Sequence, residues 1–204
     1  MILRRLLPFV LAAAALGCGR FHYYPTPPQA KKPRFPFKVS VLPFQDATEG
    51  PGITRMGIAG QCDLMKASCK PVGIELKRLT PEALGRCLAL EMKSSRLFQA
   101  VEFSEQTPGL RRTDVILRGL VRRAEAVNRG QEVSLMFALD VEAVTTADSE
   151  TLWRDTMILE RSGPSGDKRM DQYLLNLILR TAFSDSVRRT AEGLERTLAR
   201  PGGP

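Results

Sequence analysis

An uninterrupted alternation of apolar and other residues in the second half of the chain constrains the fold more than any other feature. Six alternate positions from 133 to 143 are apolar, a pattern typical of a β-strand with one buried face: Val133, Leu135, Phe137, Leu139, Val141 and Ala143. The preceding segment has the same period at Val115, Leu117, Gly119 and Val121. Asn128-Arg129-Gly130 lies between them, and glycine tolerates a positive φ. The sequence therefore predicts a β-hairpin of residues 114–125 and 131–144.

The residues between these apolar positions belong to the other face of the predicted hairpin, and several of them are charged. A turn centred on Arg129 places Arg118 opposite Asp140, with Arg122 and Glu142 nearby on the diagonal. Exposed pairs of this kind contribute well under ~1 kcal/mol to stability. We interpret Arg118, Arg122 and Asp140 as ordinary exposed pairs or, if this face has a role, as partner-binding residues.

Shorter apolar runs complete the predicted fold. The folded part is expected to begin at Phe37, with a short buried strand that ends at Pro43. The further predicted elements are a helix at about 81–95 with Thr80 as its N-cap, strands at 98–103 and 152–159, and a helical region at 170–198. Two displaced apolar stripes in that last region predict a bend or break near Ser184-Asp185. The fold class is α+β, in the order β-α-β-β-β-β-α, with a mixed sheet of about five strands and two main helices packed on one face.

The first seventeen residues have the pattern of a secretory signal peptide. Arg4 and Arg5 precede an apolar run at 6–16, which spans roughly 16 Å as a helix. This is too short for the ~30 Å hydrocarbon core of a bilayer. We therefore expect a cleaved leader at 1–17.

The residues around Cys18 resemble the bacterial lipobox, in which cleavage leaves a cysteine as the lipid-bearing first residue. Gly17 fits this motif, whereas Ala15 departs from its usual leucine. A plain signal peptide with an incidental cysteine is the alternative. In lipoproteins of this type an aspartate after the cysteine favours retention in the inner membrane. Gly19 occupies that position here, and the resemblance therefore implies an outer-membrane lipoprotein that faces the periplasm.

A proline-rich segment separates Cys18 from the predicted domain. Five prolines between residues 19 and 36 exclude a helix or a central strand, and we expect a solvated tether. Its aromatic residues at 21–24 could instead rest in the membrane interface or in a partner's groove. The expected organisation is thus a signal peptide at 1–17, a lipidated cysteine and tether at 18–36, one α+β domain at 37–199 and a disordered tail at 200–204.

The connection between the first strand and the first helix, residues 46–79, is long and rich in glycine and proline. Cys62 and Cys69 lie within it, and either a disulfide between them or two free thiols fits an oxidising periplasm. We interpret the connection either as a working surface or as an insertion without a role. Phe44 and Asp46, where it begins, complete the predicted partner-binding set. Cys87 falls on the apolar stripe of the helix and is predicted to be buried.

Residue types that support catalysis and metal binding are scarce. The single histidine, His22, lies in the predicted tether, and no Gly-rich phosphate-binding motif stands between a strand and a helix. We therefore expect no enzyme activity, no metal, no small-molecule substrate and no cofactor apart from a covalent lipid on Cys18. The formal charge of +8 loses two when Arg4 and Arg5 are cleaved off. Export and the scattered placement of the arginines argue against nucleic acid as a partner.

Several segments together resemble a family of periplasmic envelope domains. The similarity lies in residues 39–46, 84–101, 113–119, 139–141 and 151–153, within a region that spans most of 37–198. The family includes the N-terminal domain of TolB, the curli-secretion lipoprotein, the penicillin-binding-protein activator lipoprotein and the auxiliary lipoproteins of lipid-transporting ABC systems. The longer connection after the first strand departs from this pattern, and no β-propeller repeats follow.

The resemblance and the lipobox imply one of two functions. The first is a non-enzymatic outer-membrane accessory or adaptor that meets an envelope protein in cell-envelope assembly or maintenance. The second is a subunit of a secretion channel or an auxiliary component of a lipid-transporting ABC system, for which homo-oligomers are possible. Both involve the membrane through the lipid anchor.

Overall fold

The structure is a computed structural model that describes residues 22–48, 61–63, 79–106, 113–164 and 168–199. The strands within these ranges are β1 (Phe35–Val41), β2 (Gln45–Asp46), β3 (Gln61–Asp63), β4 (Phe98–Phe103), β5 (Val115–Asn128), β6 (Glu132–Thr145) and β7 (Thr151–Pro164). The helices are α1 (Pro81–Ser95), between β3 and β4, and α2 (Lys168–Leu198), after β7. The main elements follow the predicted order. The short strands β2 and β3 lie where the sequence suggested only an irregular connection.

The sheet is mixed, as predicted. Its main strands lie in the order β4-β1-β5-β6-β7; β1 is parallel to both β4 and β5, and β5, β6 and β7 are antiparallel neighbours. Two parallel strands need a crossover connection, and the connection from β1 to β4 contains β2, β3 and helix α1. Strand β1 pairs with only the first part of the 14-residue β5, and β2 and β3 pair with later parts of the same edge.

The two faces of the sheet differ in what they contact. We call the face that packs against α1 and α2 the covered face, and the opposite one the outer face. All ten apolar positions predicted for the hairpin core are buried on the covered face, which confirms the predicted alternation. Strand β5 keeps this face through a bulge, because Val121 pairs with Leu139 and Arg123 with Ala138 while Arg122 is the extra residue. Beyond the bulge the buried positions are Ala124 and Ala126.

Helix α1 begins where the sequence predicts. Thr80 Oγ1 accepts a hydrogen bond from Ala83 N at 3.1 Å, and Pro81 takes the first helical position, where no amide donor is needed. The helix is capped at its end by Arg96, which adopts a left-handed φ of 56°. Leu84 and Met92 are fully buried against the sheet.

Helix α2 runs unbroken through Ser184-Asp185, where the sequence suggested a bend or break. Its buried stripe continues because polar residues take part in it. The Ser186 and Thr190 hydroxyls donate to the carbonyl oxygens four residues earlier, at 2.9 and 2.8 Å. Thr190 Oγ1 also accepts from Trp153 Nε1 at 2.9 Å. Although α2 has 31 residues, neither it nor α1, within the ranges described, has an apolar stretch that could cross a membrane.

Residues 22–34, predicted as part of a solvated tether, lie along the two helices, and we call this segment the strap. The amides of Gln29 and Ala30 both donate to Ser95 O, at 3.2 and 3.3 Å. Arg34 N donates to Leu97 O at 2.8 Å, and β1 then begins at Phe35. The prolines exclude a helix, and the extended chain finds acceptors at the end of α1, so that the segment is bound to the domain although most of its residues stay exposed to solvent.

Candidate partner-binding surface

The outer face carries the charged residues that the sequence singled out. Arg118, Arg122 and Asp140 lie on this face because each is next to a buried residue of the covered face. The side chains of Arg118 and Arg122 are 60% and 55% exposed, whereas that of Asp140 is 10% exposed. The structure therefore brings three of the predicted partner-binding residues together on one surface.

The pairing across the hairpin differs from the predicted register. Arg118 lies opposite Glu142, to which its Nε donates a hydrogen bond, and not opposite Asp140. The reason is the turn, which is closed by Arg129 N donating to Glu132 O at 2.8 Å, so that its centre lies after Gly130. The bulge at Arg122 then shifts the remaining pairs by one residue.

Asp140 is the buried acid of this surface. Its Oδ2 accepts from Arg122 Nε at 2.6 Å, and its Oδ1 accepts from Thr156 Oγ1 at 2.8 Å. The Arg122 hydrogen bond is the main reason that the pKa of Asp140 lies below its usual value, although burial acts in the opposite direction. Asp140 is therefore ionised at neutral pH and holds Arg122 in one orientation.

A groove of about 310 Å³ lies beside this pair. Leu42 and Pro43, just after β1, form its apolar side, and Arg118, Glu142 and Arg154 form part of its charged side. Arg154 Nε lies 3.9 Å from Glu142 Oε2, so that Glu142 stands between two arginines. The groove therefore offers an apolar contact and charges of both signs within a small area.

Phe44 and Asp46, the other predicted partner-binding residues, lie in different environments. Phe44 is buried: its ring centroid is 6.0 Å from that of Phe183, and its side chain occupies the space above Gly119, where an added Cβ would lie 2.2 Å from the ring. Phe44 therefore belongs to the core and not to the surface, which corrects the prediction. Asp46 is exposed, and its Oδ1 accepts from the amide and hydroxyl of Thr48 at 3.0 and 2.6 Å, forming a tight turn after β2.

The cysteines contribute one buried thiol to the described part of the chain. Cys87 is free and buried, as predicted, and burial raises its pKa to about 12, so that its thiol is unreactive at neutral pH. The backbone of Cys62 lies in β3, whereas Cys18 and Cys69 lie outside the described residues, so the lipidation and disulfide predictions remain predictions. No three histidine, cysteine, aspartate or glutamate side chains in the described ranges are grouped so that they could hold a metal ion.

A second polar cluster, which was not predicted from the sequence, holds the strap between the helices. Glu91 is only 2% exposed; its Oε2 accepts from Tyr23 Oη at 2.8 Å and Thr26 N at 3.0 Å, and its Oε1 accepts from Ser184 Oγ at 2.6 Å. Burial, followed by the Glu91 carboxylate, raises the pKa of Tyr23. A signal was present in the sequence, because Glu91 follows Cys87 by one helical turn on the buried stripe of α1.

The fold is similar to solved bacterial structures, while sequence comparisons find nothing. No family model and no curated protein sequence matches the chain. Protein XCC0632 from Xanthomonas campestris, which carries the family label DUF330, has a TM-score of 0.61 at 13% identity, over 87% of this chain and 96% of that one. The hypothetical protein CT253 from Chlamydia trachomatis has a TM-score of 0.49 at 13% identity, over 76% and 95% of the two chains. At 13% identity the likeness to XCC0632 shows a shared fold and not a shared function.

Proposed function

We propose that this chain is a non-enzymatic lipoprotein of the outer membrane, attached through Cys18, whose outer sheet face binds another envelope protein in the periplasm. In this role it is an accessory or adaptor in envelope assembly or maintenance. The lipobox-like residues before Cys18 support the anchoring, and the resemblance to periplasmic envelope domains supports the compartment. Confinement at the membrane raises the effective concentration of the domain around its partner, so that a modest interface is sufficient.

The observation that carries the proposal is the charged groove on the outer face. Arg122 is held by Asp140, and Arg118 and Arg154 lie on either side of Glu142. These ion pairs contribute little to stability because their arginines are more than half exposed. Ordered arginines beside an apolar strip are, however, the kind of surface that gives a protein interface its specificity.

Site-specific photocrosslinking in intact cells tests this surface. A photoreactive side chain at Leu120, which lines the groove, should give a discrete crosslinked product, and the same group at Leu90 on the exposed side of α1 should not. Arg118→Ala should reduce the Leu120 product. Arg188→Ala is the matched control, because Arg188 is similarly exposed and ion-paired but lies on α2. Equal products from both sites, or an equal loss in both variants, would remove the outer face as the binding surface.

The anchoring has its own test. Cys18→Ser should leave an uncleaved precursor or a protein without lipid, and palmitate labelling should disappear. The wild-type protein should fractionate with the outer membrane. Labelling that persists in the variant would refute the anchor.

A second candidate function is that of a subunit in a secretion channel or an auxiliary component of a lipid-transporting ABC system. Strand β7 favours it: in the described part of the chain this 14-residue strand pairs with β6 alone and carries Ile158 at 81% exposure. An edge strand of that length is available for pairing with another chain. Light scattering of the mature, unlipidated chain separates the candidates, since an assembly subunit of the ring type is expected to run as an oligomer and an adaptor as a monomer.

A further inference from the structure

The first residues of the strap are fixed to α2 by one side chain. Asn176 Nδ2 donates to His22 O at 2.8 Å, and Asn176 Oδ1 accepts from Tyr24 N at 2.8 Å. Asn176 is itself only 6% exposed, so that both ends of its amide are engaged in a buried site. The chain therefore meets the domain at a defined place, in the first half of α2.

An exposed aromatic patch surrounds that place. Tyr24 and Tyr173 are 63% and 60% exposed. Together with Leu177 and Arg180 they line a shallow cavity of about 340 Å³. We call these four residues the tyrosine patch. The preceding residue of the strap, Tyr23, is directed inward to Glu91 and Phe183, so the strap divides its two tyrosines between the core and the surface.

The patch lies close in sequence to the predicted anchor. Only four residue steps separate Cys18 from His22, and a fully extended chain of that length spans at most about 14 Å. Acyl chains on Cys18 would thus hold His22, which is next to the tyrosine patch, within about that distance of the bilayer surface. Tyrosine is enriched at the membrane–water interface, because its ring is apolar and its hydroxyl remains hydrated there. An arginine nearby is attracted to anionic headgroups.

We propose that the tyrosine patch rests on the anionic phospholipid surface of the membrane that carries the anchor, an inference that depends on the proposed lipidation of Cys18. Tyr24 and Tyr173 enter the interface, and Arg180 pairs with phosphate groups. Because the strap and α2 lie on the covered side of the sheet, this contact directs the outer face, with Arg122 and Asp140, away from the membrane. The domain is thereby oriented as well as tethered.

Hydroxyl-radical footprinting of the lipidated protein tests this orientation. The protein is compared in vesicles of phosphatidylethanolamine and phosphatidylglycerol, and as the mature Cys18→Ser chain free in solution. Oxidation of Tyr24 and Tyr173 should fall about fivefold on the vesicles, as expected when exposed rings become buried in the interface. Ile158, which is 81% exposed at β7, serves as the internal control and should change less than about twofold, since an outward-facing residue keeps its hydration.

The outcomes separate the inference from the function on which it rests. The mass of the N-terminal peptide reports acylation of Cys18 directly, and an unmodified cysteine would overturn both. An acylated protein in which the two tyrosines are protected no more than Ile158 would overturn the orientation alone. Sedimentation of the unlipidated mature chain with the same vesicles adds a variant: Tyr24→Ser with Tyr173→Ser should lower binding, and Leu90→Ser with Leu198→Ser should not. An equal loss in both pairs would also contradict the patch.

Discussion

The two faces of the β5–β6 hairpin are built from alternate residues and depend on different interactions. On the covered face Phe137 and Leu139 are 1% and 0% exposed and contribute through the burial of apolar surface. On the outer face Asp140 is ordered by directional hydrogen bonds from Arg122 and Thr156, which add little net free energy. One strand therefore carries stabilising residues on one face and the proposed recognition residues on the other, and substitutions on its two faces should differ in kind as well as in size.

Phe137→Ala and Met136→Ala make the most direct test, because adjacent residues lie on opposite faces. Removing the fully buried Phe137 ring should lower the free energy of unfolding by about 3–5 kcal/mol, through lost burial and the cavity left behind. Met136 is half-buried on the outer face, and its truncation should cost less than about 1.5 kcal/mol. Urea unfolding followed by circular dichroism measures both. The reverse ranking would mean that Met136, and not Phe137, lies on the covered face.

The covered face could be predicted from the sequence because its signal is local. Every second residue of β6 is apolar, so the buried face can be identified even when the position of the turn is predicted wrongly. The bulge had a weaker signal in the sequence. Two arginines, Arg122 and Arg123, separate the apolar residues Val121 and Ala124, whereas one residue separates the apolar positions before them. A bulge produces such a change of phase in the alternation. The register of the charged pairs depended on the position of the turn, which is centred after Gly130, as well as on this phase, and it was therefore wrong.

The strap and the polar groups could not be predicted in the same way. Proline content excludes regular structure but does not tell whether an extended segment binds to the domain, which here depends on Glu91 and Ser95, far along the chain. Ser134 shows a related difficulty. The alternation assigns it to the outer face, yet it is only 1% exposed, and its hydroxyl is hydrogen-bonded to the side chains of Glu160 and Ser162 of β7. Such partners come from tertiary pairing, about which the local pattern carries no information.

Glu91→Ala extends the comparison to the polar cluster between the strap and the two helices, where polar interactions are buried. The variant leaves the Tyr23 hydroxyl, the Thr26 amide and the Ser184 hydroxyl without their common acceptor. We expect a loss of about 2–3 kcal/mol, between the effects on the two sheet faces, because it is costly for buried donors to lose a charged acceptor. Faster amide hydrogen exchange at residues 23–30 should accompany it. Glu195→Ala, in an exposed ion pair with Arg34, is the control, and an equal effect there would show that Glu91 has no special role.

Gly119→Ala tests how closely the covered face is packed. The added Cβ would lie 2.2 Å from the Phe44 ring, and accommodating it should cost about 1–3 kcal/mol. Phe44→Leu in the same chain should recover part of the loss. Gly163→Ala is the matched control, because its Cβ would meet flexible side chains, Leu174 at 3.0 Å and Met170 at 3.4 Å, and not an aromatic ring. Thermal unfolding of the three variants checks the order, and a failure of the double variant to recover would contradict a clash with Phe44.

Asp140→Asn should have the smallest effect on stability, and its pH dependence identifies the cause. The folded protein holds the pKa of Asp140 below the unfolded value, chiefly through the Arg122 hydrogen bond. The stabilisation is therefore fully present above the unfolded pKa and is lost as the pH falls through the lowered folded pKa. The wild type should exceed the variant by about 1 kcal/mol at pH 7, and this difference should close toward pH 2, which urea unfolding across the range measures. A difference that stays constant, or that grows in acid, would show that ionisation of Asp140 is not what holds Arg122. If the variant retains its stability at pH 7 within this margin but loses the crosslink from Leu120, the outer face is ordered for recognition, and the stability of the hairpin resides on the covered face.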